Sequence, residues 1–160
     1  MMAKFLGAIH PILMSLLVSL SSVSSSAELE AERFTLDANV AQRFAEDWIA
    51  SWNARDMDRI LSHYTDDFSM TSPRIVQLGL AESGTLQGKA AVREYWSPAL
   101  RPESKFQMKL LNVFLAVDSM TVLYEQLNPR NNRLVTEVFY FNSKGLVHKS
   151  TAYYALTEVN

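Results

Sequence analysis

A chain of 160 residues with 15 Lys+Arg against 17 Asp+Glu, 48% hydrophobic residues and 11% aromatics has the composition of one ordinary globular domain. Its net charge of −2 gives no reason to expect a basic surface for nucleic acid. The absence of cysteine excludes disulfides, Fe–S clusters, thiol catalysis and the cysteine-containing zinc sites.

Met1 to Lys4 is a short cationic head, and Phe5 to Leu20 is a largely apolar run interrupted by His10-Pro11. Its uninterrupted part, Ile12 to Leu20, suits a signal peptide, and Ser25-Ser26-Ala27 has the small-x-small form of a cleavage site. Residues 1–27 are therefore read as a leader cut after Ala27, which exports the domain to a periplasmic or secreted location with no membrane attachment after cleavage. The run is too short to span a bilayer comfortably. Removing residues 1–27 takes Lys4 and no acid, so 15 basic residues become 14 and the net charge of −2 becomes −3.

Residues 28–38 show no clear period and are expected to be a flexible lead-in to a single domain over 39–157. Asn39-x-x-Gln42 resembles a capping box. From it, Val40, Phe44, Trp48 and Trp52 recur every four residues and predict a helix ending near Asn53-Ala54-Arg55. Asp56 then opens a second helix in which Met57, Ile60, Leu61 and Tyr64 follow helical spacing, closed by Asp66-Asp67. Phe68 to Ser72 reads as a short strand stopped by Pro73. A long loop is expected up to Ser83, and Gly84 to Gly88 leads into a third helix holding Val92, Tyr95, Trp96 and Ala99.

Beyond Ser104 the period changes to two. Lys105 to Val117, Met120 to Leu127, Leu134 to Phe141 and Leu146 to Leu156 are four strand-like runs joined by short turns, hence antiparallel neighbours. In the first run Phe106, Met108 and Leu110 share one face whereas Leu111, Val113 and Leu115 share the other, which predicts a bulge near Leu110. The expected fold is α+β: a strongly bent antiparallel sheet with three helices on its concave face.

Trp52-Asn53-Ala54-Arg55-Asp56-Met57-Asp58, Tyr64-Thr65-Asp66-Asp67-Phe68, Ser72-Pro73, Gly84-Thr85-Leu86-Gln87-Gly88 through Tyr95, and Gly145-Leu146-Val147 are a set of segments to be taken together. They resemble the SnoaL-like branch of the nuclear transport factor 2-like (NTF2-like) superfamily, which includes ketosteroid isomerases and polyketide cyclases. The resemblance implies the cone-shaped fold of that superfamily and does not imply one reaction. Ketosteroid isomerases carry their proton-abstracting Asp just before the proline that ends the first strand, and Ser72 occupies that position here. A hydroxyl without an adjacent base does not abstract a proton at neutral pH. The two oxyanion donors of those enzymes match Trp48 and Glu137.

Glu137 also stands out on its own chemistry. It lies in Val135 to Phe141, a strand with apolar residues on both faces, and burial of a lone carboxyl raises its pKa. The alternatives are that it faces solvent or a second subunit, or pairs with a buried arginine such as Arg93. Glu125 is expected on the opposite strand face from Tyr124 and Gln126. His63 and His148 lie on different elements and make no metal site, and no motif for a cofactor is found. The predicted lining of the cone is Trp48, Trp52, Tyr95, Trp96, Tyr124 and Tyr154, with Ser72, Gln126, Glu137 and Ser150 as polar points.

Three functions fit these residues. The first is an exported module that binds a small hydrophobic molecule in an aromatic-lined pocket. The second is an isomerase-, cyclase- or dehydratase-type enzyme with Glu137 as acid or oxyanion donor. The third is a dimeric interaction domain, because the outer sheet face in this superfamily commonly pairs with a second copy, and Leu123, Val138, Tyr140 and Tyr153 offer an apolar patch there. A homodimer is expected in each case.

Overall fold

The computed structural model describes residues 34–129 and 132–156, so the expected leader over 1–27 and residues 28–33 of the lead-in lie outside the described residues. The described residues gather into one compact unit. Helix α1 runs over Ala38–Asn53 and buries Ala41, Ala45, Trp48, Ile49 and Trp52, the face its four-residue period predicts. Its cap is Asp37 rather than Asn39: the Asp37 carboxylate accepts the Val40 N–H at 2.8 Å. Asn39 already sits inside the helix, and Gln42 reaches Glu46 instead of turning back. At the other end the Asn53 amide pins α1 to the sheet, donating to the Met108 carbonyl and accepting from the Met108 N–H, both at 2.8 Å.

Helix α2 (Met57–Ser62) is capped by Asp56 as expected and stops earlier than its spacing suggests. Tyr64 begins strand β1 (Tyr64–Thr71), and Asp66-Asp67 lie inside that strand, where its pairing slips register between Tyr64 and Ser69. Even spacing of Tyr64, Phe68 and Met70 satisfies the inward face of a strand as well as a helical step, and burial on the sheet decides between them. The expected loop to Ser83 holds a short helix α3 (Pro73–Gln77), with Ser72 as its N-cap and Pro73 in its first turn. Strand β2 (Thr85–Gln87) pairs with β1, helix α4 covers Lys89–Trp96, and a 3-10 turn follows over Ser97–Leu100.

The meander is β3 (Gln107–Leu115), β4 (Ser119–Leu127), β5 (Arg133–Phe141) and β6 (Val147–Tyr154). Leu110 opposes Tyr124 while Asn112 opposes Leu123, so Leu111 is the extra residue of the expected bulge, and Val113 and Leu115 return to the inner face after it. The sheet order is β2-β1-β6-β5-β4-β3, antiparallel except for the parallel pair β1–β6. Curled and unclosed, it carries the helices on its inner face, which is the α+β architecture expected, with α3 as an element beyond the three helices anticipated. Among the described residues no helix is long and apolar enough to cross a membrane.

Register divides β5 cleanly. Val135, Glu137 and Phe139 point inward and are buried, while Thr136, Val138 and Tyr140 alternate to the outer face beside Leu123 and Tyr153. The turn between β5 and β6 depends on Gly145, whose φ is +78° and whose added Cβ would lie 2.7 Å from the Phe34 ring. Phe34, in the expected lead-in, thus packs on this turn and on Phe141 at 5.6 Å between ring centroids.

Candidate functional site

The inner sheet face and the helices enclose a cavity of about 360 Å³. One wall is aromatic: Trp48 and Trp52 from α1, Tyr95 and Trp96 from α4, with Trp52 edge-on to Trp96 at 5.1 Å and to Trp48 at 6.1 Å between centroids. The sheet supplies Met70, Met108, Tyr124, Gln126, Glu137 and Tyr154, and the loops add Phe106 and Leu78.

Glu137 is 3% exposed. One of its oxygens accepts the Ser150 hydroxyl at 2.8 Å, and among the described residues no lysine or arginine forms an ion pair with it. Arg93, the partner weighed from sequence, pairs with Asp58 at 2.6 Å instead. Burial pushes the Glu137 carboxyl up to about 7, and the Ser150 hydrogen bond pulls partly the other way. Near neutral pH the acid and carboxylate forms coexist, so this group can donate a hydrogen bond or take a proton.

The two α1 tryptophans differ in what their N–H groups do. Trp48 donates to the Tyr64 hydroxyl at 2.8 Å in the buried core. The Trp52 indole N–H is buried and makes no hydrogen bond. The donor expected at Trp48 is therefore already engaged, and the unengaged one is a turn later. Across the cavity the Tyr95 hydroxyl lies 3.4 Å from the Ser72 Oγ, with Tyr154 against the same oxygen. Burial raises the pKa of both tyrosines, so both remain neutral donors.

The SnoaL-like domain profile matches residues 45–140, from within α1 to the end region of β5 and short of β6. The chain belongs to the SnoaL-like family. A SnoaL-like protein of Burkholderia thailandensis is 40% identical, with 76% of this chain and 99% of that one covered at a TM-score of 0.70. At 17% identity, the epoxide hydrolase/cyclase-like enzyme SalBIII, of pyran ring formation in the polyether salinomycin, superposes over 76% of this chain and 95% of its own, TM-score 0.59. A computationally designed binder of 17-OHP does so at 19% identity over 76% and 97%, TM-score 0.55. The last two likenesses concern the NTF2-like fold alone. No curated protein sequence matches the chain.

In this SnoaL-like domain the sequence-named Trp48, Trp52, Tyr95, Trp96, Tyr124, Gln126, Glu137 and Tyr154 do border the cavity. Ser72 and Ser150 do not line it: Ser150 holds Glu137 from behind, and the Ser72 hydroxyl accepts the Arg74 N–H at 3.2 Å to cap α3. Ser72 is fully buried and touches hydroxyls rather than a carboxylate, so it has no base to activate it. Glu125 faces away from the cavity and accepts from Asn132 at 2.9 Å. His63 lies elsewhere, 2.9 Å from Asp47 and edge-on to Phe44, with its pKa lowered by burial. His148 is exposed on β6. Among the described residues no group of three or more His, Asp or Glu could hold a metal ion.

Sequence reasoning missed Arg74, Met70 and Met108 on the cavity wall. The signal for Arg74 was present in Ser72-Pro73, since a serine followed by proline is a helix start as much as a strand end. Reading Pro73 as a stop hid the helix that aims Arg74 toward the site.

Proposed function

We propose that this SnoaL-like domain binds a small, largely apolar molecule carrying a hydrogen-bond acceptor such as a carbonyl, with Glu137 and Trp52 as the donors that orient it. The observation that carries this reading is Glu137: a carboxyl buried on an aromatic cavity wall, balanced by one serine hydroxyl and, among the described residues, by no cation. A buried polar group costs stability unless something engages it, and an acceptor brought in by a ligand would do so for both donors. The cavity's size and mostly apolar wall are those of a small-molecule site. Titration of the three tryptophans' fluorescence with 2-acetonaphthone, against 2-ethylnaphthalene as the isostere without a carbonyl, tests it. The ketone is expected to bind at least about tenfold more tightly, and Glu137→Leu to abolish the difference. Equal binding of both probes would remove the acceptor from the proposal.

A second reading is supported by the same carboxyl, because a group near 7 both takes and gives protons at neutral pH. In that case Glu137 enolises a bound ketone as an isomerase- or cyclase-type acid–base. Deuterium exchange of the 2-acetonaphthone methyl protons in D2O, followed by NMR, should be accelerated by the wild type and not by Glu137→Gln.

We further propose that the mature chain is exported after cleavage at Ala27 and forms a homodimer through the outer sheet face, where Leu123, Val138, Tyr140 and the 56%-exposed Tyr153 lie together. N-terminal sequencing of exported material and analytical ultracentrifugation test the two points. A start at Met1, or a monomer at high micromolar concentration, contradicts them.

A further inference from the structure

The open end of the cavity is chemically unlike its wall. Beside it lies a second, smaller hollow of about 160 Å³ bordered by Arg74, Gln126, Asn128, Arg133 and Tyr154. Arg74, Gln126 and Tyr154 belong to both hollows, so the two share a boundary of three side chains. The larger is bounded mainly by rings and thioethers, whereas the smaller is bounded by two guanidinium groups, two amides and a phenol. Among the described residues no acid borders the smaller hollow, and two guanidinium groups face it. Arg74 projects from the first turn of α3 and bonds the Gln77 side chain at 3.2 Å, while Arg133 stands exposed at the start of β5. The Arg74 charge also acts on the Tyr95 and Tyr154 hydroxyls, which places it beside the polar end of the cavity.

Guanidinium groups in this arrangement match a carboxylate, which accepts paired N–H bonds from arginine and can take a further one from a phenol. An apolar molecule seated against Trp52 and Trp96 would extend past Tyr154 into this polar end. We infer that the ligand of this site is an apolar molecule bearing a carboxylate, its ring or chain in the aromatic cavity and its anionic end between Arg74 and Arg133. This rests on the cavity being the binding site and adds the charge of what enters it.

The test uses 2-naphthylacetate and its amide, 2-naphthylacetamide, which share shape and differ in charge. Isothermal titration calorimetry on the wild type should give the acid at least about tenfold tighter binding than the amide. That preference should shrink as salt is raised. Arg133→Gln, on an exposed side chain that the fold does not need, should lower affinity for the acid and leave the amide unchanged, and Arg74→Gln with Arg133→Gln should erase the preference. Equal affinities in the wild type, or a preference that survives the double variant, would overturn the anionic subsite while the cavity reading stands. If acid, amide and 2-acetonaphthone all fail to bind folded protein, the cavity reading falls and this inference falls with it.

Discussion

Trp48 and Trp52 stand one turn apart on the same face of α1, both nearly buried, both edge-on to other aromatic rings. Around Trp48 every requirement is met: its N–H has the Tyr64 hydroxyl, and its ring packs on Phe139 and Tyr124 at 5.1 and 5.5 Å. Around Trp52 the packing is as close but the N–H has no acceptor, and Glu137, on the wall of the same cavity, accepts from a single hydroxyl. The same residue type thus does two jobs 4 residues apart. Both rings border the cavity, Trp48 with its N–H already paired and Trp52 with its N–H still open to an acceptor.

The contrast can be broken most forcefully at its satisfied end. Trp48→Ala opens a void among Tyr64, Tyr124 and Phe139 and should lower unfolding free energy in urea by about 3–5 kcal/mol. A loss below about 1 kcal/mol would mean that this end is not the core.

Glu137 comes next. Its folded-state pKa is raised to about 7 from an ordinary value of 4.5, so its contribution to stability is fully present below the lower value and is lost as pH rises through the higher one. Glu137→Gln, which cannot ionise, should therefore gain on the wild type between about pH 4.5 and pH 7. The gain should level off above that range at no more than about 3 kcal/mol. A stability difference that does not change across this range would place the carboxyl in water.

Smaller effects separate the two tryptophans directly. Trp48→Phe leaves the Tyr64 hydroxyl without its donor and should cost about 1–3 kcal/mol. Trp52→Phe removes a similar buried ring but an N–H that nothing accepts, so it should cost about 1 kcal/mol less than Trp48→Phe, while weakening 2-acetonaphthone in the fluorescence titration. Equal costs for the two substitutions would erase the distinction on which the site is built.

Much of the fold is legible in the sequence. The α1 face, the Asp56 cap, the four-strand meander and the Leu111 bulge are written in local spacing, because burial on one face leaves a period in the sequence. Glu137 was legible for a related reason: a lone acid inside an apolar strand is conspicuous. What was not legible depends on partners distant in the chain. Nothing near Trp48 says that Tyr64 will take its N–H, the more so when Tyr64 is read as helical. The same holds for α3 and β2, which are too short for any period to show and are fixed by pairing with β1 and by the Ser72 cap. Arg74 entered the site only with α3.

One feature of the sheet reaches into how the chain is made. β6 lies between β1 and β5, so the parallel seam that joins the helical half to the meander is formed by residues 64–71 and 147–154. As the polypeptide emerges, β1 has only the three-residue β2 beside it, and its other edge stays open until β6 arrives. Pairings so far apart in sequence form slowly and late. The nascent chain therefore carries an unpaired strand edge and an uncovered aromatic face through most of its synthesis, a state that invites chaperone holding until its last strand is in place.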